Sequence, residues 1–361
     1  MGDEDYMKLA IQLAAATVGQ TRPNPAVGAV VVKSGRVIGV GAHLKAGEAH
    51  AEVQALRMAG DQSVDSTLYV TLEPCAHFGR TPPCADLIVR KRLKRVVIAT
   101  RDPNPLVAGK GTARMRAAGI QVDIGLLEQE AAAINCFFFH YICARTPFVT
   151  LKTACSLDGK TATRTGESQW ITGRAARRDG QKLRERYDAV LVGIGTALAD
   201  NPRLSVRLHP QARQPVRVVL DTHLRIPEES ALLTDAGAPT WIITGCTIDE
   251  TKAARIGGGH VVIYRMARET VDVRDVLTLL GEKEITSLLV EGGATVHGSF
   301  LQAGAVDRLV VYAAPKLIGG TGALPAIGGA GVARLTDAAR LTIKRVEKLD
   351  GDLKIVADRD E

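Results

Sequence analysis

At 361 residues the chain is longer than one hydrophobic core usually serves, so two domains are expected. Its 46% hydrophobic and 24% charged residues match an ordinary soluble globular protein, and no apolar run reaches the length of a membrane span. The formal charge of +7 suits a phosphorylated ligand as readily as a basic surface that only aids solubility, whereas 4% aromatics offers few stacking platforms for single-stranded nucleic acid.

The N-terminus carries Asp3, Glu4 and Asp5 where a secretory signal would be basic, and Tyr6 stands where myristoylation requires Ser or Thr. Cys75, Cys84, Cys136, Cys143, Cys155 and Cys246 are too sparse for a disulfide framework. A cytoplasmic protein is expected, with neither membrane nor nucleic acid as partner. In chain order, Leu9–Val18 reads as a helix, and Val27–Val32 and Val37–Gly41 as strands joined at Ser34-Gly35. Ala51–Ala59 reads as a helix, Leu68–Leu72 as a strand, Ala85–Arg92 as a helix and Val96–Ala99 as a strand. Thr112–Ala118 is a helix stopped by Gly119. This order predicts a mixed sheet with helices on both faces.

At Arg145-Thr146-Pro147 the pattern restarts with a strand, Phe148–Thr153. Ala189–Gly193, Val216–Leu220, Trp241–Thr244, Val261–Tyr264, Ser287–Val290 and Leu309–Ala313 follow as apolar strands. Leu341–Lys348 and Leu353–Ala357 flank a turn at Asp350-Gly351 and read as a hairpin. The domains are therefore drawn at 1–145 and 146–361.

The sharpest chemical signal lies in the first domain. His50-Ala-Glu52, Pro74-Cys75 and Pro83-Cys84 offer one imidazole and two thiolates to a tetrahedral zinc. Three protein ligands leave the fourth position to water, as in catalytic rather than closed structural sites. Cys84 precedes a helical pattern, and a helix N-terminus favours its thiolate. Glu52 lies two positions past His50, placed to stand beside the water without ligating and to carry its proton to a leaving amine. His-x-Glu with Pro-Cys is the zinc deaminase signature, although eight residues separate the thiols here instead of two. Two alternatives stay open on spacing: a closed zinc site with His77 as fourth ligand, or no metal.

Asn24-Pro-Ala-Val-Gly28, His50-Ala-Glu52 and Leu72-Glu-Pro-Cys-Ala-His-Phe-Gly-Arg-Thr-Pro-Pro-Cys84 resemble the bifunctional diaminohydroxyphosphoribosylaminopyrimidine deaminase/5-amino-6-(5-phosphoribosylamino)uracil reductase family. Asp102-Pro-Asn-Pro105, Gly109 and Gly111 agree with it, and the long loop between the thiols is that family's own feature. Ala76 departs from the Ser common there. The resemblance implies contacts from Asn24, His77 and Arg80 to the substrate's base and phosphate, and a homo-oligomer of unread order is expected.

In the second domain, Gly193-Ile-Gly195-Thr-Ala-Leu198 is a near miss to a dinucleotide fingerprint, with Leu198 where the third Gly or Ala belongs. Glu291-Gly292-Gly293, between strand Leu288–Val290 and a helix starting near Thr295, fits better as a phosphate cradle at a helix N-terminus. On spacing alone it is equally an ordinary strand-to-helix turn. The resemblance continues through Leu151–Gly159, Gly166–Thr172, Thr196–Arg207, Glu291–Gly293, Tyr312–Lys316 and Gly351-Asp352, hence over essentially the whole chain. Gly180 stands where the family tends to carry Val.

The resemblance implies an α/β protein: a cytidine-deaminase-like α/β/α domain followed by a dihydrofolate-reductase-like α/β domain. It further implies that Ala154, Trp170, Thr196, Asp200, Thr222 and the turn Gly293, Ala294, Thr295, Val296, His297, Gly298 and Ser299 line NADPH. Ser168, Arg184, Leu204, Arg207 and Glu291 would hold the phosphoribosyl substrate, with Lys152 and Asp200 assisting proton delivery. The expected chemistry is hydrolytic deamination of 2,5-diamino-6-(5-phosphoribosylamino)pyrimidin-4-one with one zinc per chain. NADPH reduction to 5-amino-6-(5-phosphoribitylamino)uracil then follows, as two steps of riboflavin biosynthesis. A tRNA or nucleoside deaminase with an unrelated second domain would need a single-strand channel, which the scarce aromatics disfavour. A non-catalytic zinc module would have no use for Glu52.

Overall fold

The computed structural model describes residues 1–76, 82–104 and 108–360. They form two compact units, Met1–Arg145 and Thr146–Glu361. Among the described residues no helix is long and apolar enough to cross a membrane.

The first unit holds strands β1 (Gly28–Lys33), β2 (Arg36–Ala42), β3 (Thr67–Leu72), β4 (Arg95–Thr100) and β5 (Gln121–Ile124) in the order β2-β1-β3-β4-β5. β1 pairs antiparallel with β2 and β3, and β3, β4 and β5 run parallel. Helices α1 (Asp3–Ala15), α2 (Ala51–Ala59), α3 (Cys84–Arg90), α4 (Lys110–Ala117), α5 (Glu128–Ile134) and α6 (Cys136–Ala144) complete it. Period-two alternation sorts the strand residues. Ala29, Val31, Leu68, Val70, Val96 and Ile98 pack with α2, α3 and α4 on one face, while Val30, Val32, Tyr69, Val97 and Ala99 pack with α1 and α5 on the other. The β1–β2 turn puts Ser34 and Gly35 at φ 50° and 74°, as a two-residue hairpin of primed type needs. α2 lies directly on β2, because a Cβ on Gly41 would stand 2.2 Å from the Ala51 carbonyl.

α1 starts at Asp3 rather than Leu9 and stops at Ala15. Asp3, Glu4 and Asp5 occupy its first turn, where the helix dipole favours negative charge, and the Gly2 N–H donates to the Asp5 carboxylate at 2.9 Å. The sequence reading also missed β5, which buries only Val122 fully, and α5 and α6.

The second unit is built on a nine-stranded sheet. Its strands are β6 (Phe148–Ser156), β8 (Ala189–Gly193), β9 (Val216–Leu220), β10 (Thr240–Thr244), β11 (Val261–Arg265), β12 (Ser287–Val290), β13 (Arg308–Ala314), β15 (Leu341–Leu349) and β16 (Asp352–Arg359). β7 (Lys160–Ala162) and β14 (Leu324–Pro325) make a separate small pair. The order is β11-β10-β9-β8-β12-β6-β13-β16-β15, parallel from β11 to β13, with β16 antiparallel to both its neighbours. Helices α7 (Arg174–Arg186), α8 (Ile194–Asp200), α9 (Ala231–Thr234), α10 (Glu250–Ile256), α11 (Val273–Glu282) and α12 (Ala294–Gln302) connect the strands. β8 and β12 are buried along their whole length, so they read as continuous apolar runs. α11 shows the complementary period, burying Val273, Val276, Leu277 and Leu280; each such side chain contributes on the order of 1.5–3 kcal/mol. After β8 the chain steps to β9, β10 and β11 on one side, and after β12 it crosses β6 to β13 on the other. The crevice between β8 and β12 at their C-terminal ends is therefore a topological switch point, where open parallel sheets bind ligands.

Candidate active sites

In the first unit, three elements deliver three soft ligands to one place. His50 is the N-cap of α2, Cys75 follows β3, and Cys84 opens α3 after the N-cap Pro83. Their ligand atoms all lie within 4.8 Å of one another, with His50 Nδ1 at 3.2 Å from Cys84 Sγ and 3.7 Å from Cys75 Sγ. The Cys84 N–H also donates to Cys75 Sγ at 3.3 Å. A hydrogen bond from Cys84, backed by His50, holds the Cys75 thiol well below its ordinary value, whereas the same pairing together with burial pushes Cys84 up. His50 is raised, chiefly by its bond to Cys75.

Glu52 sits in the first turn of α2 and is 3% exposed. Burial raises its pKa, and its Oε2 is buried with no hydrogen-bond partner. An imidazole, two sulfurs and an orphaned carboxylate oxygen beside them fit a zinc with an open position. Beside this cluster, Asn24 Nδ2 lies 3.3 Å from His43 Nε2, and the His43 ring stacks edge-on to His50 with centroids 5.3 Å apart. The Ala49 carbonyl is 3.4 Å from His43 Nδ1, so a neutral ring protonated there satisfies both neighbours; burial lowers its pKa accordingly. His43 was missed by sequence reasoning, since a lone histidine outside any motif gives no signal. His77 and Arg80 lie outside the described residues.

In the second unit a cleft of about 1430 Å³ opens over the switch point. Two helices start there behind glycine N-caps, α8 after Gly193 and α12 after Gly293. A Cβ on Gly193 would stand 2.6 Å from Val296 Cγ2, so the two turns pack without room for side chains. Neither first turn carries an acidic residue, which leaves their N–H groups suited to phosphate. Ala154, Trp170, Thr196, Asp200, Gly293, Ala294, Thr295, Val296 and His297 line the cleft, as do Ser168, Arg184, Leu204, Arg207, Glu291 and Lys152. Thr222, Gly298 and Ser299 do not. The Thr222 carbonyl accepts the Gly245 N–H, Gly298 packs on the Gly328 backbone, and the Ser299 hydroxyl donates to the Thr295 carbonyl.

The floor of the cleft is an ion cluster. Arg184 makes a two-pronged bond to Glu291 (Nε–Oε1 2.7 Å, Nη2–Oε2 3.0 Å), and Lys152 Nζ stands 3.4 Å from the same carboxylate. Burial alone would raise Glu291, but Arg184 and Lys152 outweigh it and hold the group at about 2. At the mouth, the exposed Trp170 ring carries the Arg177 guanidinium 4.4 Å from its centroid. Leu204 adopts φ 52°, and the Arg207 N–H donates to Gln181 Oε1 at 3.0 Å. Burial raises Asp200. Sequence reasoning missed Arg174 and Arg178 and gave Tyr312 no role although the resemblance ran through it; all three line the cleft. For the two arginines a signal existed: with Gln181 and Arg184 they repeat at helical spacing along α7.

The sequence matches the cytidine and deoxycytidylate deaminase zinc-binding region over residues 1–100 and the RibD C-terminal domain over residues 147–355. It is 50% identical to the riboflavin biosynthesis protein RibD of Bacillus amyloliquefaciens, covering 98% of this chain and 96% of that one. To the protein of that name from Aquifex aeolicus it is 47% identical, covering 99% and 98%. Among solved structures it resembles Acinetobacter baumannii RibD (TM-score 0.88, 40% identity, 99% of both chains). It is likewise similar to the diaminohydroxyphosphoribosylaminopyrimidine deaminase/5-amino-6-(5-phosphoribosylamino)uracil reductase of Thermotoga maritima (TM-score 0.87, 37% identity, covering 99% of this chain and 98% of that one).

Proposed function

The chain belongs to the RibD family of bifunctional deaminase–reductases of riboflavin biosynthesis, and from that premise we propose how its two units divide the work. Met1–Arg145 removes the 2-amino group of 2,5-diamino-6-(5-phosphoribosylamino)pyrimidin-4-one by hydrolysis. Thr146–Glu361 then reduces the ribosyl side chain with NADPH, giving 5-amino-6-(5-phosphoribitylamino)uracil. The observation that carries this reading is the convergence of His50, Cys75 and Cys84 beside the partnerless Glu52 oxygen.

His50, Cys75 and Cys84 would hold one zinc, which when bound supplies the Lewis acidity that brings the pKa of water toward neutrality. Glu52 takes the proton of the attacking water and passes it to the departing amine. Asn24 bonds the pyrimidine edge, and His43 fixes the Asn24 amide. In the second unit the glycine-led starts of α8 and α12 take the cofactor's phosphates, with Thr196 and Trp170 beside them. Arg207 and the Leu204 N–H take the substrate's phosphate. Glu291 and Arg184, locked together, face its sugar hydroxyls, and Lys152 or Asp200 hands over the proton that accompanies reduction. None of the six cysteines is held in a disulfide, in keeping with the reducing cytoplasm in which we place the protein.

The test supplies the diaminopyrimidine phosphate, zinc and NADPH together and follows ammonia and nicotinamide absorbance. Both steps should proceed, ammonia first. NADPH oxidation without ammonia release would break the proposed order.

A further inference from the structure

The run that carries Cys75 is anchored outside the metal cluster. Glu73 follows β3 and is 3% exposed. Its carboxylate accepts three bonds from the start of α4: the Gly109 N–H at 3.0 Å on Oε2, and the Thr112 N–H at 3.0 Å and hydroxyl at 2.9 Å on Oε1. The next carbonyl, that of Pro74, presses so closely on α4 that a Cβ on Gly111 would lie 2.0 Å from it. Beyond it, the Cys75 carbonyl accepts the Ala85 N–H at 3.1 Å. The ligand turn is thus gripped by α4 before the sulfur and by α3 after it. Between Glu73 and Cys75 stands only Pro74, whose ring fixes φ and so removes one of the torsions that could absorb a displacement of Glu73 before it reaches Cys75.

We propose that the start of α4, through Glu73, Thr112 and Gly111, is a positioning element that sets where Cys75 Sγ stands relative to His50 and Cys84, and thereby sets zinc affinity. The inference rests on the reading that these three residues hold the zinc. The charge matters because a carboxylate here accepts from every donor it meets and faces the positive end of the α4 dipole. An amide would turn an N–H toward a backbone N–H that needs an acceptor. Supporting groups behind metal ligands are commonly worth 10–100-fold in metal affinity.

The experiment is a zinc competition titration of the full-length protein against a chromophoric chelator, well below the unfolding temperature. Cys75→Ser should lose tight binding, which tests the ligand reading itself. Glu73→Gln should bind zinc about 10–100-fold more weakly than wild type. Thr112→Val, which deletes one donor at nearly constant shape, should weaken binding by a smaller factor, and Thr112→Ser, which keeps the hydroxyl, should bind like wild type. If Glu73→Gln does not fold, the Thr112→Val and Thr112→Ser pair decides the matter. Unchanged zinc affinity in Thr112→Val and in any folded Glu73→Gln, with only a lower melting temperature, would reduce Glu73 to a helix cap and overturn the proposal. Wild-type affinity in Cys75→Ser would instead sink the ligand reading, and the proposal with it.

Discussion

Glu52 and Glu291 are both buried carboxylates, and their surroundings drive them in opposite directions. Burial dominates at Glu52 and favours its protonated form, whereas Arg184 and Lys152 overcome burial at Glu291 and keep it ionised. A group that must take and release a proton belongs in the first environment, and one that must hold a fixed charge belongs in the second. Glu52→Gln should therefore retain zinc yet lose deamination by at least about 100-fold, the scale of general acid–base catalysis, while still reducing deaminated intermediate supplied from outside. Near-normal ammonia release would remove Glu52 from this role. For Glu291 the argument turns on stability. Its folded pKa of about 2 lies below the ordinary 4.5, so its contribution is fully present above pH 4.5 and is lost as pH falls toward 2. Glu291→Gln strands the Arg184 charge and should cost about 3–5 kcal/mol at neutral pH. The acid limb of its urea-unfolding stability curve should also be flatter than wild type's in that window, and equal slopes would contradict the assignment. At Arg207, replacement by Ala should raise KM for the phosphorylated substrate far more than KM for NADPH, since a lost phosphate contact is lost binding. The reverse pattern would move Arg207 to the cofactor's side of the cleft.

Among the elements, α7 brings Arg174, Arg177, Arg178 and Arg184 to the cleft yet holds a glycine in its interior. Gly180 has ordinary helical φ, and a Cβ there would meet only Lys152 Cε at 4.0 Å, an ordinary contact. Gly180→Ala should consequently stabilise the second unit by about 0.5–1 kcal/mol, raising its Tm by roughly 1–4 °C in a calorimetric scan. A lower Tm would mean that Lys152 cannot tolerate the methyl group. Elements with a clean period or an unbroken apolar run were legible in the sequence. β8, β9, β12 and α2 have the bounds read from it: β8 is apolar throughout, β9 and β12 are apolar but for Arg217 and Ser287, and α2 alternates at helical spacing. α6 was not, since Cys136–Ala144 is apolar all round, buries no residue completely and offers no periodicity to read. α1 was misplaced at its start because its acidic first turn looks like a solvated tail until the helix dipole is considered.

Across the whole molecule, legibility follows how locally a site is written. The metal cluster comes from short contiguous motifs, so its candidates were visible as a pattern. The groups that brace it were not: Glu73 bonds to residues of α4 far along the chain, and nothing in Leu72-Glu-Pro-Cys75 names them. The second cleft draws on β6, α7, the start of α8, the turn before α12 and β13, and only the resemblance gathered those positions. The restarted strand pattern after Arg145 is, in contrast, written locally, and the chain divides into two compact units between Arg145 and Thr146. Each unit has its own sheet and its own core, with Val149, Leu191, Val218, Ile243, Leu288 and Phe300 meeting in the second without help from residues before 146. A fragment spanning 146–361 should therefore fold and bind NADPH in zinc-free buffer, and should reduce deaminated intermediate, because sheet, cleft and both glycine-led helix starts lie inside it. Circular dichroism with a cooperative melt, followed by NADPH titration, checks the claim. A fragment that folds but binds NADPH only when 1–145 is added back would show that the second site is not complete in its own unit.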